Sequence, residues 1–230
     1  MKSYTRYGYV TYLFITALSL FFAVLGQATA GTIKDTAHDF STKGYTGGQI
    51  CVVCHTPHNS DTTISEAPLW NHETTATTFT MYNSPSFDAT GDGAPTGTSK
   101  LCLSCHDGTV AIDSFGGTTG TDLMIGNKAV GRDGSLADDH PISITYDAAL
   151  STTDQGLHDP SATNVEIGTG GDKTRSGTIQ TVMLSNNKVQ CSSCHDVHNN
   201  FVANDGTGGG APFLKVTKSG SSLCLTCHNK

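Results

Sequence analysis

The sequence is short of the residues that build a conventional protein core. Hydrophobic residues make up 36% of the 230 positions and aromatic residues 7%. The apolar run Leu13 to Gly26 lies close to the N-terminus, and the chain behind it is rich in Gly, Thr, Ser, Asn and Asp. Glycine-rich pieces interrupt any long periodicity there. The composition therefore predicts a mostly irregular chain with few long helices or strands.

The first thirty residues have the pattern of an export signal. Lys2 and Arg6 precede an apolar run that is short for a bilayer span, and an A-x-A cleavage site follows at 28–30. We predict a signal peptide over 1–30 and a secreted mature protein over 31–230 with no membrane span. An uncleaved membrane anchor is the alternative. No cysteine directly follows the signal, which excludes a bacterial lipoprotein anchor.

Basic residues are too few for a protein that binds nucleic acid. The whole chain has 13 Lys and Arg against 20 Asp and Glu, a net charge of −7. Removal of Lys2 and Arg6 with the signal leaves 11 basic residues, so the mature chain has a net charge of 11 − 20 = −9. Such a surface does not attract nucleic acid or anionic lipid.

No cysteine lies outside one repeated motif, C-x-x-C-H, which occurs four times as CVVCH, CLSCH, CSSCH and CLTCH. Zinc clusters, disulfides and covalent haem all use C-x-x-C pairs. Only haem needs the histidine that follows, because thioether bonds to both sulfurs bring that imidazole to the iron. We therefore predict four covalent haem c groups, attached at Cys51, Cys54, Cys102, Cys105, Cys191, Cys194, Cys224 and Cys227, with proximal iron ligands His55, His106, His195 and His228.

The four motifs form two similar halves. The order QICVVCHTPHN, APLW, SKLCLSCH in residues 49–106 recurs as VQCSSCHDVHN, APFL, SSLCLTCH in residues 189–228, and an insert over 107–188 separates them. We expect one tetrahaem domain over 31–230, in which short helices at the motifs and a few short strands surround four haems that form the core.

Methionine is scarce, which favours histidine as the second ligand of each iron. Only three methionines follow the initiator, whereas six of the ten histidines lie outside the motifs. If histidines occupy both faces of all four irons, no face is open to a substrate, and no motif has the lysine variant typical of some multihaem reductases. The sequence thus predicts an electron-transfer protein, not an enzyme. The predicted distal ligands are His38, His58, His140 and His198, while His72 and His158 are expected to be packing or surface residues, either of which could replace one of the four.

The position of His58 suggests a ligand that crosses between subunits. His58 follows His55 by three residues, and the iron at His55 is already bound from that side, so the extra imidazole is directed to a neighbouring haem. His198 has the same place in the second half. If each extra histidine reaches the preceding haem, His58 has no preceding haem in its own chain. The expected pairs are then His38 with His55, His198 with His106, His140 with His195, and His58 with His228 of the next protomer.

The order of these motifs resembles the doubled-CXXCH multihaem cytochromes of metal-reducing bacteria, over nearly all of the mature chain. The resemblance implies stacked bis-histidine haems, a ligand that crosses the subunit joint, and polymerisation with copies of itself into extracellular filaments, or nanowires. It also implies outer-membrane or periplasmic cytochromes as electron donors, and metal oxides or electrodes as acceptors. The alternative is a soluble periplasmic tetrahaem carrier or conduit subunit, which must supply every ligand from its own chain.

Overall fold

The computed structural model describes residues 33–64, 66–168, 175–198 and 213–229. The predicted signal peptide lies outside these described residues, and so does the segment 199–212 of the second half. Contacts group Gly31–Lys230 as one unit. In the described ranges no helix is long and apolar enough to cross a membrane.

Regular elements are short, which is compatible with the mostly irregular chain expected from the composition. The helices are α1 Gly97–His106, α2 Ala148–Thr153, α3 Ile179–Val182, α4 Cys191–Cys194 and α5 Ser222–Leu225, with 3₁₀ turns at Phe40–Thr42, Gly44–Thr46 and Ser219–Ser221. The second, third and fourth motifs lie in or overlap α1, α4 and α5. The first motif is a single turn, in which the His55 N–H donates to the Cys51 carbonyl at 2.8 Å.

Two small antiparallel sheets are present in the described residues, and one of them ties the insert to the third motif. The strands are β1 Ile144–Thr145, β2 Asn164–Ile167, β3 Arg175–Thr178 and β4 Lys188–Val189, and they pair β1 with β4 and β2 with β3. In the first sheet Ile144 lies opposite Val189. Since β1 follows His140 closely and β4 leads into the third motif, this sheet positions part of the insert beside that motif.

The repeat seen in the sequence is also present in the backbone. The residue after the first motif histidine, Thr56, donates its N–H to the Leu69 carbonyl at 2.9 Å, and Asp196 of the second half donates to Phe213 at 2.8 Å. Leu69 and Phe213 both have positive φ, 59° and 57°, which is uncommon for residues other than glycine. Leu69 and Phe213 therefore make equivalent backbone contacts, each with the motif that precedes it.

Buried apolar side chains form separate small clusters. The largest contains Tyr146, Ile167, Ile179 and Met183, and two others contain Ala67, Trp70 and Leu101, and Phe79, Leu103 and Leu136. Single domains of this size usually have one contiguous core with smaller satellites. The small clusters are compatible with the prediction that a bound apolar group supplies much of the core.

Candidate metal centres

All eight cysteines lie in the described residues, and all are free thiols. Within the same part of the chain no three His, Cys, Asp or Glu side chains converge as direct binding of a metal ion requires.

The first two motif histidines are oriented by backbone carbonyls. His55 Nδ1 lies 2.9 Å from the Pro68 carbonyl oxygen, and His106 Nδ1 lies 2.8 Å from that of Lys128. In each case an Nδ1–H that donates to the carbonyl leaves the Nε2 lone pair for a metal. Histidines that bind metals usually have their other ring nitrogen held in this way.

Three motif histidines each face a second imidazole from another part of the chain. The ring centres of His55 and His198 are 6.1 Å apart with an interplanar angle of 26°. Those of His106 and His38 are also 6.1 Å apart, at 40°. Those of His228 and His140 are 6.4 Å apart, at 75°. His140 Nδ1 lies 3.0 Å from the Pro141 carbonyl oxygen, so Nε2 can remain a metal ligand in this distal histidine too.

The spacing of these pairs fits a metal between the two rings. Metal–imidazole bonds are about 2 Å long, and about 1 Å more separates each nitrogen from its ring centre, so two imidazoles on opposite faces of one iron have centres about 6 Å apart. The three observed distances, 6.1, 6.1 and 6.4 Å, agree with this value. Because a porphyrin supplies the other four nitrogens, two histidines are all that the chain must provide at each iron.

His38 is held in a neutral, ligand-competent state. Burial, followed by the neighbouring imidazoles of His106, His195 and His198, lowers the pKa of His38 to about 4. Metals bind the neutral imidazole, so this environment favours ligation at neutral pH. The ring centres of His38 and Phe213 are 4.9 Å apart. This contact packs the N-terminal segment that carries His38 against the second half of the chain. The same influences on His38 place the second and third motif histidines both within electrostatic range of this ring.

The partners of these histidines differ from the pairing that the repeat suggested. His198 lies beside His55, where the repeat suggested His106, and His38 takes the place beside His106. His140 faces His228, where His195 was expected. The repeat fixes the local turn that carries each extra histidine, but the docking of the two halves decides which iron site that turn meets.

His58 stands apart from these three pairs. Its side chain is exposed and lines an open cavity of about 850 Å³, together with Trp70, His72 and Phe115. Trp70 Nε1 is buried there and has no hydrogen-bond partner among the described atoms. His58 therefore presents its imidazole at the surface of the described chain.

His72 is a buried packing residue, and the backbone of His158 contacts the fourth motif. His72 is 2% exposed, and its Nδ1 and Nε2 lie 2.7 Å and 2.9 Å from the carbonyl oxygens of Glu73 and Ala111. With both nitrogens at carbonyls, His72 is not available to an iron. The backbone N–H of His158 donates to the Cys227 carbonyl at 2.9 Å, so this segment supports the fourth motif.

Large apolar side chains are exposed beside the motifs. Leu69 is 50% exposed, Val130 40% and Leu225 45%. The Leu69 carbonyl accepts the N–H of the residue after His55, and Val130 donates its N–H to the His106 carbonyl. Leu225 belongs to the fourth motif. An apolar cofactor attached at these motifs would cover such side chains. Sequence reasoning missed them, because burial by a cofactor leaves no periodic pattern.

No protein-family model matches the chain, and no curated protein matches it.

Proposed function

We propose that the protein is an extracellular electron-transfer cytochrome with four covalent, bis-histidine haem c groups. The observation that carries the proposal is the set of three imidazole pairs with ring centres 6.1–6.4 Å apart, each made of one motif histidine and one histidine from elsewhere in the chain. Each haem, once attached, supplies an iron that exchanges one electron between its ferric and ferrous states. The paired histidines hold that iron in one geometry and leave no face for a substrate.

The chain brings the iron sites close enough to exchange electrons. Three neighbouring imidazoles, those of His106, His195 and His198, act electrostatically on His38. His198 in turn lies beside His55. The first three sites are therefore neighbours. Tunnelling between cofactors falls steeply with distance, so this clustering suits a conduit.

We further propose that copies of the chain join into a secreted filament that takes electrons from outer-membrane or periplasmic cytochromes and delivers them to metal oxides or electrodes. An exposed histidine beside a large open cavity, His58, supports this proposal over a monomeric periplasmic carrier. A carrier has no use for a ligand presented outwards. Neighbouring copies of this acidic chain repel each other, and the contacts between subunits must overcome that repulsion. A metal–ligand bond across the joint would contribute strongly to the free energy of association.

The cofactor load gives the first test. Intact mass and a pyridine haemochrome assay of the exported protein are expected to show four covalent haems and an N-terminus at Gly31, because each motif has both cysteines and a histidine. A mature chain whose mass lacks the four haem increments would contradict the whole proposal.

The angles between paired rings give the second test. All irons are expected to be low-spin and to bind carbon monoxide or nitrite poorly. Electron paramagnetic resonance of the oxidised protein should include a low-spin signal with a large maximum g value, since the 75° angle at His140 and His228 keeps two iron d orbitals nearly equal in energy. The pair His55 and His198, at 26°, should give an ordinary rhombic signal. A spectrum that contains only rhombic signals would contradict the 75° angle between His140 and His228.

A further inference from the structure

The starts of the helices that carry the second and third motifs are joined by direct hydrogen bonds. The Cys191 N–H at the start of α4 donates to Ser99 Oγ of α1 at 2.9 Å. The hydroxyls of Thr98 and Ser192 lie 2.6 Å apart. These contacts link the first half of the chain to the second at the cysteine motifs themselves.

A second layer of buried polar groups supports this junction. Ser143, from the insert, accepts the Thr96 N–H at 2.9 Å and donates to Gln190 Oε1 at 3.3 Å. The Gln190 N–H donates to Ser193 Oγ at 2.9 Å. Ser99 and Ser143 are fully buried and Gln190 is 3% exposed. Buried polar groups that satisfy one another in this way rigidify a structure and specify one arrangement.

The junction brings together two haem attachment points. Ser99, which accepts the Cys191 N–H, lies one helical turn before Cys102 on α1, so the junction places the Cys102 side chain beside Cys191, with which it interacts. The first cysteines of the second and third motifs are thus in contact. In the mature protein each of these sulfurs would be bonded to the edge of a porphyrin.

We propose that this polar junction, with Ser99 as its central positioning residue, fixes the spacing of the Cys102 and Cys191 attachment points and so makes their contact the place where electrons cross between the two halves. The inference rests on the proposed function, since it requires haem at both motifs. Hydrogen bonds are directional and have a narrow range of lengths, so they fix a distance more closely than apolar packing does. Electron exchange, which is steeply sensitive to distance, benefits from that precision.

Ser99→Ala tests the junction, and Ser104→Ala is its matched control. Both serines are fully buried in α1, but Ser104 Oγ accepts from the Thr75 N–H and donates to the Lys100 carbonyl, away from α4. The readout is the exciton couplet in the Soret circular dichroism of the haem-loaded protein, which reports the distance and angle between neighbouring porphyrins. The Ser99 variant is expected to lose part of this couplet and to slow electron exchange measured by flash reduction, while Ser104→Ala retains both.

Thr98→Val provides a second variant if Ser99→Ala does not load haem, because Thr98 is only partly buried and its hydroxyl meets Ser192 directly. An unchanged couplet in the loaded junction variants, or an equal loss in the Ser104 control, would overturn the inference. Wild-type protein without four haems would instead overturn the proposed function, so the two failures are distinguishable.

Discussion

Replacing His58 with alanine is expected to abolish filaments and to leave a folded monomer that still has four covalent haems. The exposed His58 imidazole belongs to none of the three pairs found within the chain. If it binds an iron of the neighbouring protomer, its removal leaves one iron per protomer five-coordinate or water-bound. Negative-stain microscopy would show the loss of long threads, and the Soret and electron paramagnetic resonance spectra would show one high-spin haem in four.

His158→Ala is the matched control for that experiment, because His158 is also a histidine outside the three pairs and is expected to leave filaments intact. His72→Ala is likewise expected to spare the joint, but it removes a buried ring whose two nitrogens both lie at carbonyl oxygens, so it is the weaker control. Filaments of normal length with four low-spin haems in the His58 variant would show that another group, or no haem ligand, joins the protomers. The repeat suggested that His58 binds the iron held by His228 of the neighbouring protomer. In the structure the His228 ring already faces His140.

Replacing His198 with alanine is expected to convert one haem, the one held at His55, from low-spin to high-spin. The His198 ring is the second imidazole at that site, 6.1 Å from His55. Its loss opens one iron face, so the variant should bind about one equivalent of carbon monoxide per chain. Titration of the reduced protein with carbon monoxide measures that equivalent directly.

A double variant distinguishes the observed pair from the one suggested by the repeat. If His55 and His198 bind the same iron, His55→Ala combined with His198→Ala disturbs only one haem. If His198 instead binds the iron at His106, the same double variant disturbs two. A count of two altered haems would overturn the assignment, and His158→Ala again provides an unaffected histidine control.

Short-range features of this chain could be predicted from its sequence. The motifs predict helical turns at the cysteines, and the structure has α1, α4 and α5 there. The two halves also have equivalent turns after His55 and His195: the N–H of His58 donates to Thr56 Oγ1 at 3.4 Å, and that of His198 donates to Asp196 Oδ1 at 3.0 Å. Such turns depend on residues two or three positions apart, so the sequence alone specifies them.

Long-range partners could not be predicted in the same way. His58 and His198 share a local turn, yet one is exposed beside a cavity and the other lies against His55. The polar junction was equally hidden, because Ser99 and Gln190 lie outside the C-x-x-C-H motifs and come together only when α1 meets α4. Serine and glutamine are usually surface residues, and nothing in their spacing shows that they are buried.

His55 of the first half is paired with His198 of the second half, and this has a consequence for how the protein is made. If the chain is exported N-terminus first as proposed, haem could be bonded to CVVCH while the imidazole that would complete its iron, His198, has still to be exported. On the proposed assignment, the first haem remains open on one face throughout secretion and closes only when the second half arrives. A chain stalled in export or cut within the insert would carry a reactive iron, whose spectrum distinguishes it from the finished protein.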